Sequence, residues 1–538
     1  MLSSAWRILV RYIMWVVLVV VLLVFGGINL LARNEPSEDL GAQIGVLRDL
    51  GRFAAAEELY ERLLAERPLD LALHQGYISN HFDIPQGKGR QARDDTKILA
   101  HYEALAAQPE SADIGHYGLG LIHALRQEYP AALEEYRRVA NRDQGNLDNS
   151  IGQVYLHLGD PDAAEEHFWR EVELGGNVGG AVGNLVRLYL ERGDMQGMRA
   201  LLENPRARGY ISLSAWRVFA FRTGQVGRYL RLVFLAPLEE IGFQAGVTAL
   251  MICAMWFIYF WRIDVFEQEP LAMALRALLL GALAALCSFI LSDTLDVLSP
   301  LQMGKGWLGD LAYSVIHIGV VEELVKFLPV LGIVLLTKEV NEPLDMLIYG
   351  SLSALGFATL ENALYFSGLG LGIVFDRFLL STVGHMTDAS LVLYLWARAR
   401  HLGLGKELGA VIGGLGLAAL VHGLFDFFLI GAIHSSAASF VLALFMVLLW
   451  GRMLRSCLKR SPFFDLGKSL SASNRLRNYQ LLVSTALIML LITYLHHNAS
   501  YSTDVANLLL WTSSWRAVFG VLIIFGALGE LGLRPMTT

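Results

Sequence analysis

Successive apolar runs of this chain carry ionisable residues where charge is expensive. Glu322, Glu323 and Lys326 interrupt GVVEELVKFLPVLGIVLL, from Gly319 to Leu336. Glu361 and Asn362 lie in GFATLENALYF, His385 and Asp388 in the next apolar run, and His422 and Asp426 in LVHGLFDFF. Such a group at the centre of a membrane helix costs about 2.5–3.5 kcal/mol even on a mild scale, so it needs a partner or a purpose. Glu322 and Glu323 stand four and three residues before Lys326, so on a helix the lysine reaches either carboxylate. Carboxylates and two imidazoles, without a paired Ser/Lys or Cys/His nucleophile, suit activation of water. Two routes are open. His and Glu side chains hold a divalent metal, zinc being the expected one, whose bound water is acidified. Or a glutamate alone acts as base while His and Asn stabilise an oxyanion. His422 and Asp426 lie one turn apart, which fits an imidazole oriented by its own helix.

Blander readings compete residue by residue. An intramembrane histidine on its own, such as His317 or His385, is more often a hydrogen-bonded packing residue. Two acids and a lysine also make a structural ion-pair node. An ion- or proton-coupled transporter uses the same residue types, but an inverted internal repeat with broken helices is not evident here. A non-catalytic scaffold is the third class. The whole set on four consecutive runs favours catalysis. Asp293, Asp296, Asp345 and Asp376, near run ends, are expected to meet interface water.

The elements that must position these residues are membrane helices. The 538 residues are 54% hydrophobic and 17% charged, a balance that belongs to an integral membrane protein. A net charge of -7 gives no hint of nucleic-acid binding, and three cysteines form neither a disulfide framework nor a metal pattern. Apolar stretches of about 20 residues, enough to cross ~30 Å, are expected near 8–32, 240–261, 271–297, 308–336, 344–366, 376–400, 408–430, 433–454, 479–496 and 507–531. The first reads as a retained anchor. Gly409, Gly413, Gly414 and Gly416 are expected to let helices approach closely. At 1.5 Å per residue, Glu322, His385 and His422 meet at one depth in the outer half of the bilayer, with Glu361 nearer the surface.

Positive charge orients the bundle. The 451–478 loop contains Arg452, Arg455, Lys459, Arg460, Lys468, Arg475 and Arg477, which places it in the cytoplasm. The loops bearing Lys338 and Lys406, the N-terminus with Arg7 and Arg11, and Arg534 then fall on the same side. The polar region 33–238 falls outside the cytoplasm. Within it, Gly159 and Gly193 are 34 residues apart, as are Tyr155 and Tyr189. That period reads as a tetratricopeptide-like helical solenoid of four or five degenerate repeats, whose concave face would bind a protein segment. The expected fold is all-α: a polytopic bundle of about ten spans with an extracytoplasmic α-solenoid. Its expected divisions are an anchor (1–32), the repeats (33–238), a membrane core (239–455), and a basic loop with two further helices (456–538).

Glu322-Glu323-x-x-Lys326, Phe357-x-x-x-Glu361-Asn362, His385 and His422-x-x-x-Asp426, in that order over about 240–455, resemble the PrsW family of intramembrane proteases. That family is distantly similar to CAAX-prenyl endopeptidases and bacteriocin-processing membrane proteins. The resemblance implies a membrane protease acting on membrane-tethered proteins, such as anti-sigma factors, from the extracytoplasmic side. It implies catalytic roles for Glu322, Glu323, His385 and His422. Glu322 or Glu323 would activate water, and the other acid and Lys326 would set its charge. Glu323, His385 and His422 are the expected metal ligands if a metal is used. Glu361 and Asn362 would hold the scissile peptide or complete the site, and Asp426 would orient His422. The repeats and the last two spans depart from the simple family pattern.

Overall fold

A computed structural model describes residues 4–32, 40–49, 52–83, 95–264, 266–299, 301–431, 433, 435–465, 472–524, 526 and 527. Lys468 and Arg534, used above for orientation, and the repeat boundary at 33 lie outside the described residues. The described residues are helical throughout, with no strand. Two compact units divide the chain: residues 38–232, and residues 1–37 with 233–538.

The first unit is a run of antiparallel helix pairs. Phe53–Glu66 pairs with Leu71–Asp83, Thr96–Ala106 with Ala112–Leu125, Tyr129–Arg138 with Leu147–His157, and Pro161–Leu174 with Val178–Arg192. Proline at the first turn of two helices and the Asp160, Asn177, Asp194 and Ser212 caps set the starts. Gly159 and Gly193 follow two helices at φ +78° and +67°, a conformation where a side chain is strained. Their 34-residue spacing is therefore a repeated turn. Tyr117, Tyr136, Phe168 and Tyr189 fill the seam between pairs and are almost fully buried. Glu171, also buried, accepts from the backbone N–H groups of Asn146 and Asn149 at 2.8 and 3.1 Å and ties one pair to the next.

The second unit is a bundle. Its helices are α1 (Ser4–Ala32), α2 (Phe243–Ile263), α3 (Leu271–Leu298), α4 (Val321–Leu336), α5 (Pro343–Leu369), α6 (Thr382–Ala399), α7 (Leu404–Ile430), α8 (Ser436–Leu458), α9 (Ala472–Ser500) and α10 (Thr503–Ile524). Eight helices among the described residues are long and apolar enough to cross a membrane. The 308–336 run, expected as a single span, is divided. Trp307–Tyr313 leads into a π-helix over Ser314–Val320 and then into α4. Glu322, Glu323 and Lys326 lower its apolarity, and the wider turn breaks its regularity. The last expected span corresponds to α10, with part of 507–531 outside the described residues.

Buried Trp256 of α2 and Trp450 of α8 meet at 5.9 Å in the core, and Trp450 Nε1 donates to Ser390 of α6 at 3.0 Å. Helices on either side of positions 32 and 455 also meet. Asn29 of α1 donates to Tyr494 of α9 at 3.0 Å and accepts from Asn507 of α10 at 2.7 Å. These amides and the phenol satisfy one another where water is scarce.

The glycine expectation is corrected. Gly409, Gly413 and Gly416 face open space, and only Gly414 abuts a neighbour, Val392 of α6. The tight crossing lies elsewhere on α7. A Cβ on Gly423 would sit 2.5 Å from Val315 Cα, and one on Gly319 would enter the Ala419 carbonyl. Periodicity shows which helix has small residues, but the partner's crossing point decides which of them matter.

Candidate functional site

The site begins with α4. Glu322, Glu323 and Lys326 occupy its first two turns, immediately after the π-helix that lays Gly319 against α7. Pro329 removes one backbone donor further along, and Ser353 of α5 donates to the Lys326 carbonyl at 2.8 Å. The segment bearing the acids is thus clamped between α5 and α7.

Lys326 is fully buried and is the hub of the site. Its Nζ lies 2.7 Å from Glu323 Oε1 and 3.3 Å from Glu322 Oε2. It also approaches Nδ1 of His385 at 2.8 Å and Nδ1 of His422 at 3.4 Å. Phe357 stacks beneath the ammonium at 4.7 Å. Glu323 Oε1 lies 2.8 Å from His422 Nδ1 as well. The Glu323 side chain is 1% exposed and that of Glu322 15%, so the two adjacent acids differ in access. Glu322 Oε2 and Glu323 Oε2 are buried without a hydrogen-bond partner.

The remaining expected residues join the same network. His385 Nε2 meets Glu361 Oε2 at 2.8 Å, and His422 Nε2 meets Asp426 Oδ2 at 3.4 Å. Asn362 donates to Thr382 at 3.0 Å. The eight residues singled out for catalysis and support therefore line one polar cluster shared by α4, α5, α6 and α7. His317 lies outside it, with Nδ1 3.0 Å from Asp296 and its ring stacked on Tyr313.

Two members carry more than the sequence reading gave them. Arg377 sits in a second π-helix, Arg377–Ser381, just before α6. It donates to Glu361 at 2.6 Å and to Asn362 at 2.5 Å, and so braces the carboxylate that holds His385. Its sequence signal is an arginine at a helix start, too common to stand out. Asp388 is three residues after His385, buried, and 3.7 Å from His422 Nδ1. Asp293 and Asp345 correct the expectation of interface water, because both are buried, whereas Asp296 and Asp376 are exposed.

The residues fit a divalent metal. Glu322, His385 and His422 offer ligand atoms within 4.8 Å of one another, as do Glu323, Asp388 and His422. Two imidazoles and the Glu322 carboxylate, whose Oε2 takes no hydrogen bond and is ion-paired to Lys326 at 3.3 Å, are a donor set suited to catalytic zinc. The trio expected from sequence, with Glu323 beside both histidines, is not one of these groups. Adjacent residues on a helix point about 100° apart: Glu323 reaches Lys326 and His422, whereas Glu322 Oε2 lies 3.8 Å from His385 and 3.5 Å from His422.

A bundle that gathers two imidazoles, three glutamates and a lysine between four apolar helices defines an integral membrane protein with a buried polar site whose groups suit activation of water. Residues 269–451 match the PrsW family intramembrane metalloprotease, and residues 99–149 match a tetratricopeptide repeat. Protease PrsW of Bacillus subtilis (strain 168) is 30% identical over 201 residues, covering 37% of this chain and 88% of that protein. Protease PrsW of Geobacillus kaustophilus is 28% identical, covering 37% of this chain and 83% of that protein. That of Shouchella clausii is 28% identical, covering 38% and 92%. The chain belongs to the PrsW family and is an intramembrane endopeptidase with added tetratricopeptide-like repeats. No solved structure matches it.

Proposed function

We propose that this protein cleaves membrane-tethered proteins in the outer half of the bilayer, with Glu323 as the proton acceptor for the attacking water. The observation that carries this is the buried Glu323 carboxylate. Lys326 and His422 hold its Oε1 at 2.7 and 2.8 Å, while its Oε2 has no hydrogen-bond partner. Lys326 and His422 orient the carboxylate, which leaves Oε2 to take a proton and return it to the leaving amine. Glu322, His385 and His422 would hold a divalent metal, taken to be zinc, which supplies an acidified water when bound. Glu361 and Arg377 orient His385, and Glu323 orients His422 through Nδ1, so that Nε2, with Asp426 beside it, would face the metal.

In this reading the chain crosses the inner membrane ten times with both termini in the cytoplasm, supported by the basic 451–478 loop. The helix pairs of residues 38–232 lie outside and dock the substrate or a partner before cleavage. Substrate trapping tests the proposal. Membranes from cells carrying a Glu323→Gln form should retain a tethered protein that disappears with the active form. Full processing by the Glu323→Gln protein at normal abundance would remove glutamate catalysis. Deleting residues 40–225 should impair choice of the natural substrate while peptidase chemistry survives; undiminished processing of that substrate would end the docking role.

A further inference from the structure

A second group of acids lies at the far end of α5, independent of the site above. Asp345 and Glu361 are 16 residues apart on this helix, or about 24 Å along its axis. Glu267, Glu269 and Asp345 each present a carboxylate oxygen, all within 4.8 Å of one another. Glu269 is 5% exposed, Asp345 is 0% exposed, and Glu267 is half-buried. Asp264, 4% exposed, closes the same loop through the Glu269 N–H, which donates to its Oδ2 at 2.8 Å.

The unused oxygens point to a ligand. Asp345 Oδ2 accepts from the backbone N–H groups of Asn341 and Glu342, each at 2.8 Å, and Glu269 Oε2 accepts from the Tyr349 hydroxyl. Their other oxygens, Asp345 Oδ1 and Glu269 Oε1, are buried and accept from no N–H or hydroxyl group; the two carboxyls face each other instead, and Asp264 Oδ1 is buried with no hydrogen-bond partner. A buried carboxylate at this density needs a cation or a proton. The fixed halves of Glu269 and Asp345 hold their facing oxygens in place, and half-buried Glu267 provides a way in. An all-oxygen donor set selects a hard cation.

We propose that Glu267, Glu269 and Asp345 form a second metal site that takes a hard divalent cation, Mg²⁺ or Ca²⁺, and braces the α2–α3 loop against the start of α5. The test uses the full chain in detergent after chelation, with Tb³⁺ as luminescent probe. Trp261 lines the same recess as Asp264 and Glu269 and would sensitise it. A saturable Tb³⁺ signal should appear and be displaced by Ca²⁺ or Mg²⁺ between about 0.1 and about 10 mM. Glu267→Gln, on the half-buried ligand, should weaken binding about tenfold by lowering the ligand charge, with an unchanged melting temperature in chelator. Glu269→Gln should abolish the signal, and His385→Ala should leave it intact. The cation should raise the melting temperature of the parent protein but not of the Glu269→Gln form. A signal absent from the parent, or one lost with His385→Ala and kept with Glu269→Gln, would overturn the site. So would a melting temperature indifferent to both cations, which would leave protons as the agents that neutralise these acids.

Discussion

The ammonium of Lys326 lies 2.8 Å from Nδ1 of His385. An ammonium can only donate, so this nitrogen accepts and the ring proton sits on Nε2, directed at Glu361 Oε2 2.8 Å away. One lysine thereby fixes the tautomer of one imidazole and the charge of Glu323. It also occupies a nitrogen that a metal would need, so the lysine and the metal compete for His385.

Removing Lys326 therefore has two effects of opposite sign. Lys326→Met leaves Glu323 buried without its counter-charge, and loss of one partner of a buried pair costs about 3–5 kcal/mol. The pair Lys326→Met with Glu323→Gln removes both charges and should regain most of that stability without regaining cleavage. Metal content of the purified single variant should equal or exceed that of the parent. Thermal unfolding, peptidase assay and metal analysis together decide it; a double variant less stable than Lys326→Met would contradict the pairing.

Arg377 acts on the reaction through its neighbours. Its two donors span Glu361 and Asn362, a fork that a lysine cannot reproduce. Arg377→Lys and Arg377→Ala should each lower kcat about 10–100-fold, the usual consequence of losing an outer partner of a ligand or catalytic imidazole. Metal affinity should fall in parallel with KM little changed. A variant whose defect lies wholly in KM would assign Arg377 to substrate binding instead.

Backbone proximity at Gly319 gives a prediction on packing. Gly319→Ala forces a methyl into the Ala419 carbonyl and should push α7, with His422, away from α4. Gly416→Ala, on the same helix as Ala419 but facing open space, should be tolerated. Melting temperature and proteolysis of a reporter substrate would separate the two. Equal behaviour would mean that the crossing is not held at this point.

How far the sequence could be read differs by residue. Glu322, Glu323 and Lys326 were legible because helical spacing alone brings them together. His422 with Asp426 follows the same rule. The contact between Lys326 and His385 spans 59 positions and depends on the register of α4 against α6, which no local pattern encodes. The break before α4 was hidden because a π-helix has no compositional signature. Asp345 looked like an interface residue since it begins a helix. Two backbone N–H groups of its own turn satisfy its Oδ2 and let the carboxyl turn inward. In the repeats, the 34-residue spacing of Gly159 and Gly193 was visible because each turn demands the same rare backbone conformation.

Two histidines in the Leu71–Asp83 helix should give that repeat opposite responses to pH. His74 Nε2 lies 2.9 Å from the Pro68 carbonyl, which can only accept, so Nδ1 faces the Tyr102 hydroxyl at 3.0 Å as an acceptor. Burial lowers its proton affinity below the ordinary value of 6.5. The stability it contributes is complete above that value and is lost as the pH falls below it, because the unfolded chain takes up the proton first. His81 lies 3.0 Å from Glu57 and 3.3 Å from Asp95, and the Glu57 hydrogen bond raises its proton affinity. Its contribution is complete below 6.5 and is lost as the pH rises through the raised value. Amide-exchange protection of this helix in the full chain, corrected for intrinsic rates, reads both. His74→Gln should flatten the acid side of the profile and His81→Gln the alkaline side. If the two variants flattened the same side, or the sides were exchanged, the hydrogen-bond assignments for these rings would be wrong.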